Sequence, residues 1–409
     1  MSLRVVTRAL DDDRPLLDLA PAPDDALAWV RRGDGLVGWG VAARLEPGPG
    51  DDRFVRAEAA LRHLAADAEV VDDVRVPGTG LVALGSFSFD ADAAGSALVV
   101  PRVVVGRRDG RTWLTTIDPD GAAPAPGPAT SPPRDPPRDR PRFAGSSLPD
   151  LRWLEAVATA VERLRDGHLD KVVLARDHAV WSQEPFDPLD LARRLAARFP
   201  SCHTFVVDGL VGATPELLLA RDGDRVTSRV LAGTTGRADD EVEDAALGAA
   251  LLASAKDRHE HQLAADSVRD VLAPRCADLS WEPEPRLLRL DNVQHLATVF
   301  RGTLDAPASV LEVVADLHPT AAVGGTPRAE ALAAIRELEG MDRGRYAAPV
   351  GWTDAAGDGE WGIALRCAEL SGARARLFAG VGVVGASLPE DELEETRLKL
   401  LAMQAALGA

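Results

Sequence analysis

A chain of 409 residues with 46% hydrophobic and 27% charged residues has the makings of a soluble globular protein with a large buried core. Its formal net charge of −18 argues against nucleic acid and anionic membrane as partners, because both demand a basic footprint. Cys202, Cys276 and Cys367 stand far apart without CxxC spacing and indicate neither a disulfide framework nor a zinc site. No charged-then-apolar leader and no apolar run of about 18 residues is visible, so a cytoplasmic location is expected. Nothing in the sequence signals an interface, which makes a monomer the default expectation.

The chain has only three lysines, Lys171, Lys256 and Lys399, among 46 basic residues. Where arginine serves as the general cation, a retained lysine is a candidate for work arginine does poorly, such as losing a proton or acting as a compact point charge. The single tyrosine, Tyr346, draws the same attention.

In chain order, residues 1–118 read as an α/β part. Strands are predicted at 36–45, 81–90 and 97–117, with a helix over 54–68. Residues 119–146 form a Pro-rich connector, and 147–409 carry the remaining motifs. Helices are expected over 151–167, 187–199, a long stretch 240–272, 308–317, 327–339 and from about 388. Strands are expected at 171–181 and 286–290, with others in the pairs between helices. Long antiparallel-looking pairs interleaved with helices point to an α+β fold, a large α/β sandwich of two mostly antiparallel sheets flanked by helices. Neither GxGxxG after a first strand nor GxxxxGK[ST] occurs, which disfavours nucleotide-binding folds.

Several stretches carry chemistry. In GVGVVGASLPEDELEETRLK (380–399) a glycine-rich turn at Gly380, Gly382 and Gly385 would leave backbone N–H groups open to an anion. The following helix puts Glu392, Glu395 and Lys399 on one face. The bland alternative is a solvated acidic helix with a Glu–Lys pair at i, i+4. KDRHEHQ (256–262) repeats the i, i+3 carboxylate spacing with Asp257 and Glu260. Two helices that each offer such a pair can hold a Mg²⁺ ion between them. His259 and His261 point to different helix faces and make a poor zinc pair. Lys171 opens a strand and is a candidate general base. Glu216, after Thr-Pro and before Leu217 to Leu219, is a candidate general acid. VLAGTTGR (230–237) offers Gly233 and Thr234 to a carboxylate. LHPTAAVGGTPR (317–328) contributes His318, and Arg366 in mid-strand calls for a carboxylate partner.

Taken together, KVVLAR, TPELLL, AGTTGR, KDRHEH, LHPTAAVGGTP, RYAAPVGW, ALRCAEL, FAGVGVV and EDELEETRLK resemble, in order, the chorismate-utilising enzymes. That family comprises the isochorismate, salicylate, anthranilate and aminodeoxychorismate synthases. The match covers about 150–402, and GSFSFD with VVPRVVV extends it toward the N-terminus, which implies one fold over the whole chain.

The resemblance implies a water nucleophile. Isochorismate and salicylate synthases carry a lysine at the position of Lys171, and aminodeoxychorismate synthases place theirs where this chain has Ala232. HPTAAVGGTP is closer to an isochorismate synthase, with salicylate synthase as the alternative. An ammonia-using synthase component and a silent chorismate-binding protein stand further off. The implied roles are Lys171 as base and Glu216 as acid, with Mg²⁺ held by Glu260 and Glu395 and with Asp257 and Glu392 outside them. Gly233, Thr234, His318, Tyr346, Arg366, Gly380, Gly382 and Lys399 would bind the substrate chorismate. The product would feed quinone or catechol siderophore synthesis.

Overall fold

A computed structural model describes residues 3–21, 25–119, 127–129 and 140–408. Most of the predicted connector therefore lies outside the described residues. Its end, Arg142–Gly145, is a short strand against Lys171–Trp181.

Strand alternation builds two cores. Along Leu27–Arg31 and His203–Val207, Trp29 and Phe205 point into one apolar cluster, whereas Val30 and Val206 point into the other. A period of two on a sheet covered on both faces explains why these strands read as unbroken apolar runs. The second cluster is closed by Leu189 and Leu195 of the helix Pro188–Arg198 and by Leu400 and Met403 of the helix Pro389–Leu407.

The two expected sheets are limbs of one hydrogen-bonded network of 21 strands among the described residues. The strand Ala97–Arg108 joins them. It pairs with Asp34–Leu45 along one edge, and on the other with Val82–Ser86 and then Arg111–Pro119. All the pairings are antiparallel except Leu3–Ala9 with Glu69–Asp72. Pairing also crosses the connector: Leu27–Arg31 lies on His203–Val207, and Val82–Ser86 lies on Pro349–Asp354.

The helix expected over 240–272 is two helices, Glu241–Ala253 and Ala255–Leu272. Ser254 breaks the run at ψ 116°, and its hydroxyl accepts the N–H of Asp257 as an N-cap. Serine competes with the helical backbone for hydrogen bonds, a local effect that apolar periodicity does not register. The helix break sets the angle at which Glu260 enters the site. No helix among the described residues is long and apolar enough to cross a membrane.

Candidate active site

A cleft of about 640 Å³, its open mouth included, lies where the strands Lys171–Trp181, Arg374–Val383, Arg225–Gly236 and Val293–Thr303 meet two helices. The helices are Ala255–Leu272, which supplies Glu260, and Pro389–Leu407, which supplies Lys399. Glu216, Gly233, Thr234, Glu260, Tyr346, Arg366, Gly380, Gly382 and Lys399 line the cleft. Lys171, Asp257 and Glu395 stand one layer behind, against Gly382, Gly233 and Lys399, and Glu392 is held by Lys256.

Gly380 and Gly382 are not in a turn. They are strand residues paired with Ala175 and Val173, and the Gly380 carbonyl also accepts from Lys399. Each lacks a side chain where a neighbour approaches closely. A Cβ on Gly380 would come 2.9 Å from the Tyr346 hydroxyl. One on Gly382 would run into the Glu260 carboxylate and come 2.9 Å from Cε of Lys171.

The three lysines are each ion-paired to a different glutamate. Lys171 Nζ, fully buried, is 3.1 Å from Glu260 Oε1, in a geometry that leaves the ammonium without a hydrogen-bond partner among the described residues. Lys256 Nζ donates to Glu392 Oε1 at 2.6 Å. Lys399 Nζ lies 2.6 Å from Glu395 Oε1 and donates to the Gly380 carbonyl at 2.8 Å. The i, i+4 pair of Glu395 and Lys399 is therefore present, but it is part of the cleft rather than a solvated helix face.

Burial and neighbouring charge set the protonation pattern. Burial pushes Glu216 up to about 8, against the opposing pull of Lys171, Arg229, Arg366 and Lys399, so the group is a carboxylic acid at neutral pH. Burial and the nearby Glu395 raise Glu392. For Glu395, burial acts upward but is outweighed by Lys399, Lys256 and a hydrogen bond from Thr234, and the group is held low.

Arg366 lacks the expected carboxylate. Its guanidinium lies 2.9 Å from Nε2 of His295, and Nδ1 of His295 lies 3.1 Å from the Thr234 hydroxyl. Burial, then Arg366 and Lys399, drive His295 well below the usual imidazole range. Its neutral ring accepts from Arg366 and presents its other nitrogen toward Thr234. An Arg366–His295–Thr234–Glu395 chain results, and sequence reasoning missed its centre, because His295 is a single polar residue in an otherwise ordinary strand, Val293–Thr303. Arg366 at φ 47° and Ala347 at φ 61° both line the cleft, and each left-handed backbone costs of order 1–3 kcal/mol.

His318 does not reach the cleft. Its Nε2 lies 3.2 Å from the Phe89 carbonyl, and its ring stands edge-on to Phe89. It is a buried packing residue under the N-terminal part, contrary to the substrate contact expected for it. Asp257 lies against Gly233 at the edge of the cleft, and its carboxylate also takes the Ser254 hydroxyl at the helix cap. His261 bonds Thr298 at 2.8 Å, whereas His259 is exposed.

Another buried ion pair that the sequence did not announce braces the site. Arg343 binds Glu339 and donates to the carbonyls of Val173 and Val323 at 2.8 Å each. Glu339 accepts the N–H of Ala175 at 2.8 Å. The pair locks the strand behind Lys171 to the segment that carries Tyr346.

A family profile described as chorismate binding enzyme matches residues 129–408. The chain belongs to the chorismate-binding enzymes. A salicylate biosynthesis isochorismate synthase of Pseudomonas aeruginosa is 39% identical over 410 residues, covering 94% of this chain and 85% of that protein. Isochorismate synthase DhbC of Bacillus subtilis is 44% identical over 264 residues, covering 62% and 66%. The solved structure of MenF, the menaquinone-specific isochorismate synthase of Escherichia coli, superposes with a TM-score of 0.82 at 26% identity, over 100% of this chain and 95% of that one.

Oxygen donors on two helices suit a hard divalent cation in this chorismate-binding enzyme. Glu392, Glu395 and Glu260 all raise the proton affinity of the Lys256 ammonium, so three carboxylates already converge on one cation. No group of three His, Cys, Asp or Glu among the described residues is arranged to hold a metal as it stands, and each of these glutamates is paired with a lysine. The donor set, carboxylates from two helices, fits Mg²⁺ in chemistry.

Proposed function

We propose that this enzyme is a Mg²⁺-dependent isochorismate synthase. The observation that carries the reading is a buried lysine without a hydrogen-bond partner and a carboxyl kept protonated at neutral pH, coupled electrostatically across one cleft. Lys171 in its neutral form takes a proton from water as the oxygen bonds to C2 of chorismate. The ring double bonds shift, the C4–O bond breaks, and Glu216 gives its proton to the departing hydroxyl, which leaves as water. One water enters and one leaves, so the net change is an isomerisation.

Arg366, Tyr346 and Lys399, with the Gly233–Thr234 segment, would hold the two substrate carboxylates. Arg366 is pre-aimed by His295, and its planar fork is suited to a carboxylate. Mg²⁺ on Glu260 and Glu395 would neutralise a ring carboxylate and polarise the ring toward attack at C2. Ala232 leaves no amine in the glycine–threonine segment to compete with water as the nucleophile. The test is incubation of the purified protein with chorismate, with and without Mg²⁺, followed by chromatographic resolution of the products. Isochorismate formed only with Mg²⁺ is expected. Salicylate with pyruvate, or turnover only with ammonia, would overturn the reading.

A further inference from the structure

The proposed metal reading leaves Lys256 without a task, yet its ammonium is where the acidic residues converge. It is bonded to Glu392 at 2.6 Å and also feels Glu395 and Glu260. Lys256 lies one residue before Asp257 and one helical turn before Glu260, on the helix that Ser254 caps. Its side chain is 28% exposed, in contrast to 0% for Lys171 and 14% for Lys399. Of the three lysines it is the most exposed.

We infer that Lys256 is an internal counter-ion exchanged for the divalent cation: it occupies the acidic cluster of the metal-free protein and swings out when Mg²⁺ enters. The inference rests on the proposed metal reading and adds a device to it. The Lys256 ammonium already neutralises Glu392, so a dication arriving alone meets carboxylates that carry their own counter-charge. An ammonium on a flexible stem can leave toward water, where it is strongly hydrated. Its departure exposes Glu392, restoring one negative charge at the moment the metal needs it. Mg²⁺ affinity in the free enzyme is thereby held low, and a dicarboxylate substrate, which brings its own negative charge, raises it. Metal and substrate then load together rather than the metal alone.

Magnesium titration of the substrate-free protein by calorimetry tests this with Lys256→Met and Lys256→Arg. The loss of one positive charge within a few ångströms should tighten Mg²⁺ binding by about tenfold or more in Lys256→Met. Lys256→Arg should stay near the native affinity. A second measurement needs no neutral variant. With three lysines in the chain, selective ¹³Cε-lysine labelling gives three side-chain resonances, and Lys256→Arg assigns one of them. In the native protein the Lys256 resonance should move toward the free-lysine position as Mg²⁺ is added. Equal or weaker affinity in Lys256→Met, or a Lys256 resonance unmoved at saturating Mg²⁺, would overturn the exchange while leaving Mg²⁺-dependent turnover intact. Turnover unaffected by Mg²⁺ and chelator would overturn the metal reading and the exchange with it.

Discussion

Lys171 Nζ and Glu260 Oε1 stand 3.1 Å apart with the lysine fully buried, and Gly382 gives both the room to do so. The pair joins the proposed base to the proposed metal ligand, so it binds the two halves of the chemistry together. Lys171→Ala should lower kcat/KM by about 10³ or more while circular dichroism stays native. Lys171→Arg should not rescue activity, because a guanidinium keeps its proton. Rescue by arginine would point to a charge role instead of a base. Glu260→Gln should abolish the Mg²⁺-dependent rate with the fold retained.

Glu216 links catalysis to stability. In the fold it holds its proton up to about 8, against an ordinary carboxyl value of 4.5. Between those values the folded chain binds a proton that the unfolded chain has released, so stability falls as pH rises through this window and levels off above it. Glu216→Gln should therefore raise the melting temperature by several degrees at pH 8 and by little at pH 4.5. The same variant should lose turnover, and the native rate should decline as pH rises past about 8. A melting-temperature gain independent of pH would refute the assignment.

Gly382→Ala adds a single methyl against the Glu260 carboxylate and Cε of Lys171. The side chains must move apart, and a misplacement of about 1 Å at reacting groups costs on the order of 10²-fold. Steady-state kinetics should show this loss in kcat/KM, with a melting temperature within a few degrees of native.

His295→Ala removes the partner of Arg366. Because the guanidinium would lose its fixed direction, KM for chorismate should rise about tenfold, with a smaller change in kcat. The opposite split, a large fall in kcat alone, would place His295 at the reacting atoms rather than behind the carboxylate contact.

His203, His261, His295 and His318 are all held below the ordinary imidazole value, chiefly by burial, with His261 at about 4 and His318 at about 3. Unfolding lets each of them charge below about 6.5. Thermal melts should therefore show stability falling steeply as pH drops from 6.5 toward 5. His318→Phe should flatten part of that slope with KM unchanged, because His318 touches Phe89 and not the cleft.

Much of the architecture is legible from periodicity. The strand Lys171–Trp181 and the helices Pro188–Arg198, Val310–Leu317 and Arg328–Leu338 fall where the apolar spacing puts them. The rarity of lysine drew attention to the cleft before any geometry was known. What escaped depends on contacts distant in sequence. His295 reaches Arg366 across 71 positions, and no local pattern encodes that. Gly380 and Gly382 suggested a turn because glycine is a turn residue on average, whereas here they lie in a strand where Tyr346, Glu260 and Lys171 approach closely. His318 was misread because a buried polar residue looks the same in sequence whether it meets a ligand or a carbonyl.

The strands Leu27–Arg31 and Val82–Ser86 tie the part of the chain before the connector to the part after it. Removing residues before the connector would strip partners from His203–Val207 and Pro349–Asp354 and leave bare strand edges on a fragment that still carries the site residues. Such edges invite pairing between molecules. A fragment cut at the connector should be recovered as aggregate, and a chimera that takes its N-terminal third from a relative must match two ladders at once. The parts on either side of the connector must change together.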